Sequence, residues 1–585
     1  MRAAAACDQI WRVTASGRPI SMTAQQPLTQ LTRSHWRPTT AEPPLRLTIA
    51  GLLSAAVARR PDHIALVDGV ADPDARRRWT YRELEGTVRK VAIALRRRFE
   101  VGDHVALWSP NSADWVLFQI GAGLAGVVLV TVNPAYRDAE LAYVLRGSHA
   151  HGVFFADEYR GRDLGEIARA TVTTIPSVQV IGSLGDLLAE AAAIEPSTTE
   201  LPNLAAGAIA QVQYTSGTTG FPKGAMLTHG GITTACEQVA RRALPEGGPL
   251  TYLNPMPLFH IGGSGVATVG TLTKAGTHVV MPRFDVDLWL SLVESERATI
   301  TMAVPTMLIA ILEHPRLADH DLESLQTILT GGAHVPTELV HRAAQLGANV
   351  MITFGQTESH GTMCTTRRHD SADDISTTVG LPVDHVEVAI ADPVSGEIVE
   401  VGVPGEILVR GDQVMAGYYN SAQETDAAID EAGWLHFGDL GTMDERGYLR
   451  VIGRLKDMVI RGGENIYPRE IEDVLLRHPS VAEVAVVGVP DATWGEEVAA
   501  VIRLQPGTGD RPEPAALLDY CRERLAHYKC PRLWFYVPAF PLTASGKIQK
   551  HRIVASIVGR EIASVGSFVR KVGAPSARHA PKTSP

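Results

Sequence analysis

YTSGTTGFPKGAMLTH, residues 214–229, is the stretch on which the reading of this 585-residue chain turns. Gly217, Gly220 and Gly224 carry no Cβ, so the backbone there bends tightly and lets a ligand come close. Successive N–H groups turned toward one point form an anion nest. Thr215, Ser216, Thr218 and Thr219 add hydroxyl donors, and Lys223 adds positive charge. The run IAQVQY (209–214) before the stretch predicts a strand, and residues 230–242 after it predict a helix. A loop that cradles phosphate fits this order, although a Gly/Ser/Thr run read alone is equally a flexible polar turn. The P-loop of ordinary NTPases is excluded. That motif needs Gly, four residues, then Gly-Lys-Ser/Thr opening a helix. Here the lysine sits in Phe221-Pro222-Lys223-Gly224, and Pro222 bars a helix at that point.

The chain is too long for one small core and predicts two or more domains. Hydrophobic residues make up 45% and charged ones 20%, the balance of a soluble globular protein. A net charge of −10 argues against a nucleic-acid binder that relies on a general basic field. The cysteines at 7, 236, 364, 521 and 530 show no CxxC and no metal-ligand spacing, which points to a reduced, cytoplasmic protein without structural zinc. WVLFQIGAGLAGVVLVTV (115–132) approaches the length of a membrane span. Gly121, Gly123 and Gly126 interrupt it and its end is β-rich, so a buried helix followed by a core strand is expected, with no transmembrane segment. The first residues lack the sustained apolar core of a signal peptide. Residues 1–44 are polar and are expected to be disordered, and 561–585 to form a flexible tail.

In residues 79–98, Thr80 and Glu83 form a capping box, and Val88, Val91, Ala92 and Leu95 line one helical face. HVALWS (104–109) reads as a strand, and strands then alternate with helices, which means βαβ units and a largely parallel sheet. ATITMAVPTMLIAILEH (298–314) gives a strand, a turn at Pro305 and a helix. LQTILTGGAHV (325–335) gives a strand ending in Gly331, Gly332 and Ala333, and residues 349–353 give another ending in FGQTES (354–359). Ligands of open parallel sheets bind at the carboxyl ends of the strands. The backbone at Gly331–Ala333 can lie flat against a planar base, Thr357 offers a hydroxyl to a phosphate, and Glu358 offers a hard oxygen to Mg2+ beside phosphates. Residues 380–452 are β-rich, and about a hundred residues of α+β pattern follow.

The opening stretch closely resembles the phosphate loop of the adenylate-forming (AMP-binding) enzyme superfamily, which includes acyl-CoA synthetases, adenylation domains and firefly luciferase. TYRELE (80–85), VNPAY (132–136), FGQTES, GWLHFGDLG (433–441), GRLKDMVIRGGENIYPREIED (453–473) and PLTASGKIQKHRI (541–553) extend the resemblance over about residues 45–560. The pairing of RGGENIYPREIE with PLTASGKIQK is most similar to medium- and long-chain fatty acyl-CoA synthetases. The resemblance implies an α/β fold: a large N-terminal AMP-binding domain (45–452) with mainly parallel sheets and a β-rich subdomain, a hinge (453–457) and a small mobile α+β C-terminal domain (458–560).

The resemblance also implies roles for individual residues. Thr215–Gly220 and Lys223 would hold the β- and γ-phosphates of ATP; Gly331, Gly332, Ala333, Phe354, Gly355 and Gln356 would line the nucleotide; and Thr357 would reach the α-phosphate. Glu358 would hold Mg2+, and Asp439 and Arg454 would hold the ribose. His260, in PMPLFHIGG (255–263), would gate the acyl pocket; Gly263, Gly265 and Gly361 hint at an open tunnel there. Lys456 would be the hinge, Arg461, Gly462, Gly463 and Glu464 would line the path of CoA, and Lys547 would bridge the α-phosphate and the substrate carboxylate.

The function so implied is an ATP-dependent fatty acid:CoA ligase working through an acyl-AMP, cytoplasmic or peripheral at a membrane. A relative that activates amino acids carries Asp after the Phe at position 259, where this chain has His260, so amino acids are not expected. Loading of an acyl carrier protein and activation of an aryl acid stay open. An ATP-binding regulatory protein with a dead site is opposed by the intact Lys223, Glu358, Asp439, Arg454 and Lys547.

Overall fold

The computed structural model describes residues 30–38, 40, 43–195, 199–215, 222–244, 250–333, 335–462, 464–491, 493–505, 511–542, 548–562 and 564–567. The chain divides into two compact units, Met1–Val451 and Ile452–Pro585.

In the first unit the helix Tyr81–Arg96 starts at the Thr80–Glu83 capping box, and its Val88, Val91, Ala92 and Leu95 stripe is wholly buried. The membrane-length stretch is a core helix, Ala113–Ala125, followed by a core strand, Val128–Val132, with every strand residue buried. Gly121 lets the two helices meet: a Cβ there would lie 2.6 Å from Val91 Cγ1. Trp115 and Phe118 on the same helix are fully buried, and side chains of this kind contribute about 1.5–3 kcal/mol each. Gly121 therefore serves close packing, and Gly126, at φ +73°, ends the helix in the left-handed region.

Two sheets of this unit are mainly parallel. The first runs Lys223–Thr228, Ile209–Thr215, Val128–Val132, His104–Trp108, Gly152–Phe155, Val180–Ser183, and only its first pair is antiparallel. The second has nine strands. Its parallel centre is Asn349–Phe354, Thr327–Gly331, Ile300–Met302, Thr251–Asn254, Thr277–Val280 and Ile64–Asp68. A third sheet is the β-rich subdomain: His35–Trp36, Val386–Ala391, Gly405–Gly411 and Leu435–Met443 pair antiparallel, and Leu449–Arg454 follows at the edge.

The expected disorder of residues 1–44 is corrected for residues 30–38. His35–Trp36 adds to the edge of the third sheet, and the N–H groups of Leu31 and Ser34 donate to the carbonyls of Glu445 and Val399 at 2.9 Å. Trp36 lies against Gly447, where a Cβ would come within 2.2 Å of its ring. An open sheet edge offers unpaired backbone groups, and this segment takes them up.

The second unit is α+β. Its sheet runs Glu464–Ile466, Val459–Arg461, Gly495–Leu504, Leu533–Tyr536, Gly566–Ser567, with Val481–Asp491 also paired to Gly495–Leu504. The helices Pro468–Leu475 and Pro514–Arg522 share one core with Val486 and Trp534. The expected flexible tail is corrected for residues 564–567: Gly566–Ser567 pairs with Leu533–Tyr536, and the Val565 N–H donates to Trp534 O at 2.8 Å. Among the described residues, no helix is long and apolar enough to cross a membrane.

Candidate functional site

The phosphate-loop stretch is a hairpin. Ile209–Thr215 and Lys223–Thr228 pair antiparallel, with Thr215 opposite Lys223. The second strand lies where the sequence reading saw only loop. Its other edge is taken by residues 416–419: the Tyr419 N–H donates to Gly224 O at 2.8 Å, and the Met226 N–H to Gly417 O at 2.9 Å. Both rims of the hairpin are therefore fixed. Ser216, Gly217, Thr218, Thr219 and Gly220 lie outside the described residues.

Glu358 is buried on the single turn Thr357–Ser359, which follows the strand Asn349–Phe354. Its Oε1 accepts hydrogen bonds from the Thr215 hydroxyl at 3.3 Å and the Tyr418 hydroxyl at 2.9 Å. Among the described residues its Oε2 accepts none. Burial, and then the Glu358 carboxylate, push the Tyr418 phenol well above its ordinary range. Lys223 lies over the Tyr418 ring, 5.3 Å from its centroid, and its ammonium pairs with Glu424. The lysine expected to face phosphate is held by a carboxylate here.

His360 follows on the same loop, in the left-handed region at φ 54°. Its Nε2 accepts the Thr228 N–H at 3.0 Å, so the proton sits on Nδ1, which donates to Gln413 O at 2.8 Å. Burial lowers its pKa to about 4. One neutral ring thus joins the FGQTES loop, the end of the hairpin and the turn that follows the strand Gly405–Gly411. The sequence reading missed His360, Tyr418 and Glu424; none of them stands out before its tertiary partners are known.

Gly331 ends the strand Thr327–Gly331 opposite Thr353, whose carbonyl oxygen would lie 2.1 Å from any Cβ at this position. Gly332 has φ +74°, and Gly332 and Ala333 are exposed at the carboxyl end of the parallel strands, the place where such sheets bind ligands. Gln356 Nε2 donates to Phe437 O at 2.7 Å, and the rings of Phe354 and Phe437 lie 5.6 Å apart. These contacts tie the FGQTES loop to the strand Leu435–Met443, which carries the buried Asp439. Gly355 packs against Gly361 O, which a Cβ would approach to 2.5 Å.

His260 is half-buried and precedes a π-helical stretch, Gly262–Val269, a form frequently seen at functional sites. Ser264 on that stretch is held from both sides. Gln213 of the phosphate hairpin donates to its hydroxyl, and Gln119 donates to its carbonyl, each at 2.9 Å. The hint of an open tunnel at Gly263, Gly265 and Gly361 is corrected. Cβ atoms there would lie 2.3 Å from Pro257 O, 2.6 Å from Ile261 Cδ1 and 3.0 Å from Ile261 Cγ1, so these glycines give room to neighbours. Behind the π-helix lies a water-sized apolar void of about 10 Å³, lined by Val239, Ala243, Leu250, Val266 and Ile300, with the Tyr252 side chain in its wall.

In the second unit, Arg454 and Lys456 are exposed at the turn Leu455–Asp457. Arg461 is committed inward: its Nε pairs with the buried Glu497 at 2.6 Å and its guanidinium stacks on Trp494. Its side chain is occupied where the sequence reading gave it to CoA. The Gly462 N–H donates to Trp494 O at 2.9 Å, and Glu464 opposes Arg461 in the hairpin. Gly463 and Lys547 lie outside the described residues.

Among the described residues no cluster of three or more His, Cys, Asp or Glu side chains could cage a metal ion. A lone carboxylate with one oxygen engaged and the other without a partner among the described residues fits Mg2+ of the kind that keeps substrate phosphates and water as its other ligands.

The sequence profile of the AMP-binding enzyme family matches residues 53–419, and that of the AMP-binding enzyme C-terminal domain matches residues 470–547. The putative acyl-CoA synthetase YngI of Bacillus subtilis (strain 168) is 37% identical over 536 residues, 86% of this chain and 96% of that one. The mitochondrial medium-chain acyl-CoA ligase ACSF2 of Mus musculus is 33% identical over 544 residues, covering 86% and 87%. The solved structure of the o-succinylbenzoate CoA synthetase MenE of Bacillus subtilis, in complex with its acyl-adenylate intermediate, superposes with a TM-score of 0.74 at 30% identity, covering 86% of this chain and 97% of that one.

Proposed function

Because the chain belongs to the AMP-binding enzyme family and is an acyl-CoA ligase, we propose that it activates a medium- or long-chain fatty acid in two steps. In the first, a carboxylate oxygen attacks the α-phosphorus of ATP, the bond to the β-phosphate oxygen breaks, and acyl-AMP and pyrophosphate form. In the second, the CoA thiol gives up its proton, the sulfur attacks the acyl carbon, and AMP leaves with the bonding electrons.

The residues divide between these steps. Thr215–Gly220 hold the β- and γ-phosphates through their N–H and hydroxyl groups, with Lys223 beside them. Gly331–Ala333 and Phe354–Gln356 receive the base, Asp439 and Arg454 the ribose, and Thr357 the α-phosphate. Glu358 and the phosphates hold Mg2+, which when bound offsets the charge on the phosphate oxygens. Lys547 neutralises the α-phosphate and the attacking carboxylate. Catalysis of this kind is chiefly positioning and electrostatics. Lys456 is the residue at which the second unit turns to expose the CoA path past Gly462–Glu464. The compartment that fits is the cytoplasm.

The observation that carries the fatty-acid reading is the 33% identity to the medium-chain acyl-CoA ligase ACSF2 over 86% of this chain. Each buried CH2 contributes about 0.8 kcal/mol. An aryl acid is the second reading, favoured by the likeness to MenE. CoA thioester formation from acetate through palmitate, with benzoate and with a holo-acyl carrier protein replacing CoA, tests both. Turnover that rises with chain length supports the proposal. No product from any acid above about six carbons overturns it.

A further inference from the structure

Tyr418 is held more firmly than a phosphate-binding reading alone requires. Its N–H donates to Thr425 Oγ1 at 2.9 Å, and Ala225 forms a β-bridge to it from the phosphate hairpin. Gly417 beside it has φ +125° and would clash with Thr425 if it carried a Cβ, at 2.8 Å. From this fixed backbone the side chain reaches two functional groups at once. The hydroxyl donates to Glu358 Oε1, and the ring face carries the Lys223 ammonium, which Glu424 neutralises from the other side. Thr215 donates to the same Glu358 oxygen at 3.3 Å, so that oxygen is satisfied twice while Oε2 has no partner among the described residues.

We propose that Tyr418 is a positioning residue. It locks the Glu358 carboxylate by one oxygen, leaving Oε2 for the nucleotide-bound cation, and keeps Lys223 on its ring face and away from that carboxylate. A hydroxyl donor to a charged carboxylate is worth about a factor of ten in an equilibrium of this type. The inference rests on the assignment of Glu358 to the cation in the proposed reaction.

The test is binding of Mn2+·ATP to the full chain without acid substrate, followed by the electron paramagnetic resonance signal of free Mn2+. Parent, Tyr418→Phe, Glu358→Gln and the double variant are compared. Tyr418→Phe keeps the ring and is expected to weaken Mn2+·ATP about tenfold, to raise the Mg2+ needed for half-maximal rate, and to leave the melting temperature near the parent's. In the Glu358→Gln background it is expected to add nothing, because its effect passes through that carboxylate. Additive losses would show a merely structural role and overturn the inference. Tyr418→Phe within twofold of parent while Glu358→Gln binds poorly would overturn it and leave Glu358 standing. Both variants within twofold would overturn the inference and the Glu358 assignment together.

Discussion

In the first unit Thr215 and Tyr418 converge on one oxygen of Glu358, and His360 ties two further segments together through its ring. In the second, Arg454 and Lys456 are exposed at a three-residue turn, while the side chain of Arg461 is turned into its own core. Buried, mutually satisfied polar groups hold one geometry at high cost of change. An exposed short turn can change torsion at low cost. The contrast is in keeping with the proposed division of labour, in which a preorganised site binds the nucleotide and Lys547 serves the first step.

The sharpest way to break the comparison is to separate the steps. Lys547→Ala is expected to lower acyl-AMP formation by about 10²–10³-fold while sparing thioester formation from supplied acyl-AMP and CoA. Lys456→Pro is expected to do the reverse, because it removes the torsional freedom of the turn. Both reactions are read by product chromatography, and equal loss of both steps in both variants would mean that one pose serves the whole reaction.

A smaller effect probes the inward turn of Arg461. Arg461→Ala strands the buried Glu497 carboxylate and is expected to destabilise the second unit by about 3 kcal/mol, seen as an early unfolding transition. A lost CoA affinity with unchanged melting would instead restore the guanidinium to the CoA path.

His360→Phe leaves the Thr228 N–H and the Gln413 carbonyl without their partner, so a loss of about 1–3 kcal/mol in the first unit is expected, measured by denaturant unfolding. An unchanged midpoint would show that the three segments hold together without the ring.

Acid provides a test that needs no substitution. Burial lowers His229 and His360 to about 4 from an ordinary 6.5. The unfolded chain therefore takes up these protons first. The stabilising contribution is complete above pH 6.5, is lost as pH falls from 6.5 to 4, and changes little below that. The expected loss is on the order of 2–3 kcal/mol per histidine by pH 4. A stability flat across this window would mean that neither imidazole is held neutral.

Much of this was legible in the sequence, and the reasons are local. Periodicity located the 81–96 helix, and the Thr80–Glu83 box located its start. The loops of the nucleotide site could be read because Gly331, Gly332 and the 214–224 run serve through backbone chemistry concentrated in short strings. The strand Lys223–Thr228 was missed because KGAMLT lacks β-branched alternation and, besides its hairpin partner Ile209–Thr215, takes its second edge from residues 416–419, far along the chain. Tyr418, Glu424 and His360 were missed for the same reason: each acts only through a tertiary partner. The tunnel read from Gly263, Gly265 and Gly361 failed because a glycine marks space without saying what fills it, and Ile261 and the Pro257 carbonyl fill it here. His35 and Trp36 formed a strand that their polar surroundings gave no reason to expect.

The account stands most directly on an acyl-AMP made at the first unit before CoA takes part. Exchange of labelled pyrophosphate into ATP, measured without CoA, tests it. Exchange that appears only when a fatty acid is added, and that Lys547→Ala removes, is the predicted result. Exchange that is absent with every acid, or that needs CoA, would contradict it.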